Sequence, residues 1–196
     1  MPDAPLPAHS LAEAFFYVMV TGCPACRDGG LKAGTAKRLP STDGVVLLTI
    51  PAKCSKCKST VDLHFTLPEA PPHTGNQLDT VNSTSDPSRI IDLAQWVTLA
   101  HIIIEAASRE TNKQQARRLG MEAAQCLEEA IKFFRNDNDL PEPTAFFSAE
   151  SRSRFEQAPQ KFSRQRLVNQ RVKLPTISTM RATLGVAPPK KKWWFW

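Results

Sequence analysis

Cys23-Pro24-Ala25-Cys26 and Cys54-Ser55-Lys56-Cys57 hold four of the five cysteines in this 196-residue chain, and their reading decides the fold of its N-terminal part. Two thiolates separated by two residues on a tight turn grip one metal ion together. A second such turn completes a tetrahedron of sulfurs around Zn²⁺. The 27 residues between the pairs exceed the common gap of roughly 15–20, leaving room for a hairpin or loop. Four thiolates leave no open coordination position for water, so the metal reads as structural Zn²⁺. An iron ion fits the same four sulfurs, and the residue types alone do not separate the two.

Working outward, residues 14–21 (Ala-Phe-Phe-Tyr-Val-Met-Val-Thr) are aromatic and β-branched and read as a strand entering the first pair. Residues 44–51 (Gly-Val-Val-Leu-Leu-Thr-Ile-Pro) read as a second strand, leading into the second pair. Residues 59–67 alternate, with Val61, Leu63, Phe65 and Leu67 on one face and Asp62, His64 and Thr66 on the other, as in a half-buried strand. Strands joined by paired cysteine turns over residues 14–67 resemble the zinc-ribbon class. The resemblance implies a small sheet held by a structural metal. That class includes nucleic-acid-binding proteins, transcription and translation factors, and enzymes, so it names no function. So small a sheet is marginal alone, and zinc supplies roughly 10–16 kcal/mol of apparent stabilisation at neutral pH.

Residues 68–88, rich in Pro, Ser and Thr, read as a linker. Asp86 with Pro87 suggests a helix start. Ile90, Leu93, Ala94, Val97, Ala100, Ile104 and Ala107 then recur at helical spacing to about Arg109. Thr111 with Gln114 resembles a capping box for a second helix, whose stripe runs from Ala116 to Phe134 and ends at Asn136-Asp137-Asn138. The short connection predicts an antiparallel hairpin. Ser148 or Ser151 is placed to cap a short helix through Phe155, and residues 159–173 suit another, with Phe162, Leu167 and Val168 inward. The expected organisation is α+β: a disordered N-terminus at 1–13, a zinc ribbon at 14–67, a linker at 68–88, a helical region at 89–174, and an extended basic and aromatic tail at 175–196.

Charge is segregated along the chain. Residues 21–60 carry seven basic and two acidic side chains, residues 61–150 seven and fourteen, and residues 151–196 eleven and one. Such segregation speaks of partners rather than fold. Hydrophobic residues make up 41% of the chain, and sixteen prolines stand against eight glycines, so much of the chain reads as loop or tail. No run of about 18 apolar residues is present. Met1–Ser10 lacks a basic segment before an apolar core, so no secretory signal is expected. Paired CxxC turns with one odd cysteine suit a reducing compartment, and the expected location is cytoplasmic.

The candidate sites divide accordingly. Cys23, Cys26, Cys54 and Cys57 are the metal ligands, with a thiol redox pair as the competing reading. His64 and His73 are substitute ligands that four cysteines make unnecessary. Cys126 and His101, on helical faces, read as packing residues. No phosphate loop, serine elbow or HExxH is present, so the chain reads as non-catalytic. Lys53, Lys56 and Lys58, with Arg164, Arg166 and Arg171 in the basic segment 151–173, are candidates for contact with nucleic acid or an acidic partner, or for docking against the chain's own acidic helices. Lys190-Lys191-Lys192 followed by Trp193, Trp194, Phe195 and Trp196 reads as a docking tail for self or another protein, with peripheral membrane contact as an alternative. The expected role is a protein-interaction or adaptor module carrying Zn²⁺, and nucleic-acid binding is the runner-up.

Overall fold

Alternation of apolar and polar residues over 45–54 and 60–68 builds the centre of a sheet, and a helix at 11–20 packs on its inner face. The computed structural model describes residues 4–39, 44–69, 81–135 and 138–175. In chain order it contains β1 (Leu6–Pro7), α1 (Leu11–Val20), β2 (Leu31–Ala33), β3 (Lys37–Leu39), β4 (Val45–Cys54), β5 (Thr60–Pro68), α2 (Leu93–Arg109), α3 (Lys113–Ile131), α4 (Ala149–Gln157) and α5 (Arg164–Val172). Short 3-10 turns precede α4 (Pro143–Ala145) and α5 (Pro159–Phe162). The fold is α+β, as expected.

The sheet runs β1-β5-β4-β2, with β3 also paired to β4. β4 and β5 are antiparallel, with Leu48 opposite Phe65, Ile50 opposite Leu63 and Ala52 opposite Val61. These residues share the inner face, since directly opposed residues point the same way. β1 joins β5 in parallel through Leu6 and Phe65.

Residues 14–21 are not a strand. They lie within or just beyond α1, an apolar helix wedged between the sheet and the other helices. Tyr17 meets Phe65 of the sheet edge-on at 5.7 Å between ring centres, and Phe16 meets Trp96 of α2 at 5.7 Å. A helix covered on both sides has apolar residues all round, so its composition imitates a buried strand. The N-terminus is likewise not disordered over 4–13: β1 pairs with the sheet, and the Ser10 hydroxyl caps α1 by accepting from the Glu13 N–H at 3.1 Å.

α2 begins six residues later than expected from Asp86. Asp92 forms a capping box with Gln95, while Ser88 accepts from the N–H groups of Ile90 and Ile91 in the turn before it. Asn112, not Thr111, caps α3 through the N–H groups of Gln114 and Gln115. Three residues join the two helices, which pack as an antiparallel hairpin. Ser148 caps α4, and Ser163 caps α5, which lies on α3. Buried side chains from sheet, α1 and hairpin form one cluster, from Ile50 and Phe65 through Phe16 and Val18 to Trp96, Leu127 and Leu167. Residues 70–80 of the expected linker, His73, the expected helix end at 136–137 and the tail at 176–196, with Trp193, Trp194, Phe195 and Trp196, lie outside the described residues.

Candidate metal centre

Two turns of similar construction bring the four cysteines together. In the first, entered from the end of α1, the Cys23 N–H donates to the Gly29 carbonyl at 2.8 Å, and the Arg27 N–H donates to the Cys23 carbonyl at 2.8 Å. In the second, at the end of β4, the Cys54 N–H donates to the Ser59 carbonyl at 2.9 Å. The residue after the last cysteine is left-handed in both: φ is 60° at Arg27 and 65° at Lys58. That reversal folds each turn around its sulfurs. In the second turn the N–H groups of Lys56 and Cys57 approach the Cys54 sulfur at 3.3 and 3.4 Å. Backbone donors of this kind favour the thiolate.

Across the turns, the Cys23 and Cys57 sulfurs lie 3.7 Å apart, as do those of Cys26 and Cys54, and all four lie within 4.8 Å of one another. A tetrahedron with metal–sulfur bonds of about 2.3 Å has edges of about 3.8 Å, so the spacing fits four-sulfur coordination. All four are free thiols. Cys23 and Cys54 are buried, Cys26 is half-buried and Cys57 is exposed. Gly29 is required here by close approach, because a Cβ at that position would sit 2.3 Å from the Cys54 sulfur.

The surroundings shift the acidity of Cys23, Cys54 and Cys57. The Ser59 hydroxyl lies 3.4 Å from the Cys23 sulfur and 3.0 Å from that of Cys57. Ser59 is the leading cause that draws Cys23 down to about 6 and lowers Cys57. Burial instead pushes Cys54 up. The sequence reading missed Ser59; its signal is a hydroxyl two residues beyond the second pair.

The remaining candidates scatter. His64 stands on β5 with Nδ1 3.1 Å from the Thr49 hydroxyl, apart from the cysteines. His101 lies beside Gln170, and burial lowers its pKa. Cys126 is fully buried in α3, and burial pushes its thiol up. Lys53 is exposed on β4, Lys56 pairs with Asp28 at 2.7 Å, and Lys58 donates to the Ser55 carbonyl at 2.6 Å. Arg164, Arg166 and Arg171 are on α5, where Arg171 pairs with Glu128 of α3 through Nε at 2.6 Å. The two basic groups thus sit on separate elements, and Arg171 is engaged with Glu128 of the protein's own hairpin.

A second polar cluster went unread in the sequence. Glu13, fully buried, accepts from the His9 backbone N–H at 2.5 Å and faces the His9 ring at 3.0 Å. Glu129 of α3 takes the Lys132 ammonium at 2.8 Å and the Asn82 amide at 3.5 Å, and Lys132 also donates to the Asn82 carbonyl at 2.9 Å. Asn82, Glu129 and Lys132 tie the end of α3 to the turn at 81–86, and the Ser10 hydroxyl, donating to the Val81 carbonyl at 2.5 Å, ties that turn to the start of α1.

No family model matches the chain, and no curated protein or solved structure shows detectable similarity to it. Among the described residues, no helix is long and apolar enough to cross a membrane.

Proposed function

We propose that this is a non-catalytic zinc-ribbon protein, working in a reducing compartment such as the cytoplasm as an interaction or adaptor module. The observation that carries the proposal is the closed set of four sulfurs within 4.8 Å of one another. Cys23, Cys26, Cys54 and Cys57 hold Zn²⁺, which when bound cross-links the two turns and leaves no position for a reacting water. The redox reading is less favoured by the geometry. Cys23 and Cys26 follow the C-terminal end of α1 rather than opening a helix.

A protein partner suits the edge of the sheet. Leu39 of β3 and Leu47 of β4 are directly opposed, and both are exposed. Elemental analysis of the native protein tests the metal: one zinc per chain, lost in Cys54→Ser, is expected. A metal-free protein whose CxxC pairs cycle reversibly between thiol and disulfide would establish the redox reading instead. Photo-crosslinking from position 39 in living cells tests the partner. One protein captured in high yield and lost in Leu47→Glu is expected.

A further inference from the structure

The outer face of the sheet, opposite α1, is where β-sheet alternation concentrates cations. Lys53 of β4 is exposed and directly opposed to Lys32 of β2 on one side and to Thr60 of β5 on the other. Four residues along β4, Thr49 is flanked by Lys37 of β3 and His64 of β5. Opposed residues project to the same side, so Lys32, Lys53 and Lys37 line one stripe about 13 Å long. Beyond its Lys53 end come the second cysteine turn, with Lys58, and the first, with Arg27, both exposed.

Like charges facing each other across two strands destabilise the pair. Lys32 and Lys53 face each other in this way, and among the described residues neither they nor Lys37 make an ion pair; the ion pair on these turns is that of Lys56 with Asp28. Asp62, opposite Pro51, is the carboxylate interposed on this face. Four thiolates around Zn²⁺ would carry a net charge of −2, a local demand for cations at the two turns. Lys37 is beyond that demand, about 17 Å along the strand from the position of Cys54. Among the described residues the exposed side chains here include no phenylalanine, tyrosine or tryptophan to stack on a base, and the one ring, His64, is tied to the Thr49 hydroxyl at 3.1 Å.

We infer that this face, through Lys32, Lys37 and Lys53, docks on the phosphodiester backbone of a nucleic acid without reading its bases. The inference rests on the zinc-ordered ribbon proposed above, and it places this contact on the same face as Leu39 and Leu47, one same-side cross-strand pair beyond Lys37. Phosphate contact requires clustered cations and little else.

The test is a fluorescence-anisotropy titration of the full-length, zinc-loaded chain against a labelled mixed-sequence duplex over a range of KCl concentrations. Affinity is expected to fall linearly on a logarithmic salt scale and to be indifferent to duplex sequence. Changing Lys32, Lys37 and Lys53 together to Gln should weaken binding at least about tenfold at moderate salt and reduce the slope by about 2.7, three contacts' worth. A Gln triple variant that binds like the parent overturns the inference, as does absence of salt-dependent binding by the parent. Equal, equally variant-sensitive binding of polyglutamate overturns the choice of nucleic acid and transfers the face to an acidic protein. Zinc content measured on every sample separates these results from failure of the ribbon itself, in which the parent chain would hold no zinc.

Discussion

At the scale of single residues, Gly29 is the position where the metal centre tolerates least. A methyl group there meets the Cys54 sulfur at 2.3 Å and the Lys56 Cβ at 3.0 Å, so one turn must move away from the other. Gly29→Ala is expected to lower zinc affinity by about 10–100-fold, the scale of losing a supporting partner around a metal. Gly30→Ala, with nothing within 4 Å of the added carbon, should leave it unchanged. Competition with a chromogenic chelator reads both. The polar cluster of His9, Glu13, Asn82, Glu129 and Lys132 makes a separate statement through pH. Burial raises the Glu129 carboxyl above its ordinary 4.5, and the hydrogen bond to Glu13 raises His9 above its ordinary 6.5. Both groups hold a proton more tightly folded than unfolded, so each contributes stability at low pH that is lost as pH rises through its folded pKa. Glu129→Gln, which cannot ionise, should therefore gain stability relative to the parent as pH rises from about 4.5. His9→Gln should gain similarly above about 6.5. Urea midpoints of parent and variants across pH 4–8, with a relative shift of opposite sign, would contradict this.

Among the elements, α1 separates what was legible from what was not. The strands β4 and β5 declared themselves, because one side of each is solvated and alternation survives; the cysteine spacing placed the two turns that bring four sulfurs together, because each pair is local in sequence. Ala14-Phe15-Phe16-Tyr17-Val18 carries no such contrast, since Tyr17 packs on the sheet and Phe16 on α2. The readable signal lay one turn earlier, where Ser10 and Glu13 have capping-box spacing and the Ser10 cap is made. For α2, the pair Asp92 and Gln95 outcompeted Asp86 because its two reciprocal hydrogen bonds form, whereas Pro87 and Ser88 are taken up by the preceding turn. The buried polar cluster was invisible for another reason: its members lie up to 123 positions apart, from His9 to Lys132. Because α1 joins the layers, its contacts should weigh more than its length suggests. Phe16→Ala removes the edge-on contact with Trp96 and leaves a cavity; a loss of about 3–5 kcal/mol is expected. Met19→Ala, at an exposed site on the same helix, should cost within about 0.5 kcal/mol. Guanidinium unfolding of the two variants makes the comparison, and equal losses would show that α1 does not bridge the layers.

For the whole molecule, the question is whether metal and helices are coupled. Composition divides the chain at its proline-rich segment, yet Ile50 and Phe65 of the sheet, Phe16 and Val18 of α1, and Trp96 and Leu127 of the hairpin belong to one buried cluster. The turns that hold the cysteines are anchored in that same cluster, since Cys23, Leu31 and Cys54 are among its members. A metal that closes the turns therefore stabilises the inner face of the sheet, which holds α1, which in turn covers Trp96. The zinc proposed above would supply roughly 10–16 kcal/mol at neutral pH and act on all layers at once. One kilocalorie per mole shifts the midpoint of a chain of this size by about 2–4 °C. Calorimetry of the zinc-loaded protein should accordingly show one transition, and chelation should lower its midpoint by more than about 10 °C, with helical and sheet signals lost together. An unshifted helical transition after chelation would mean that contacts such as Phe16–Trp96 do not transmit the metal's stabilisation, and that ribbon and hairpin melt as separate units.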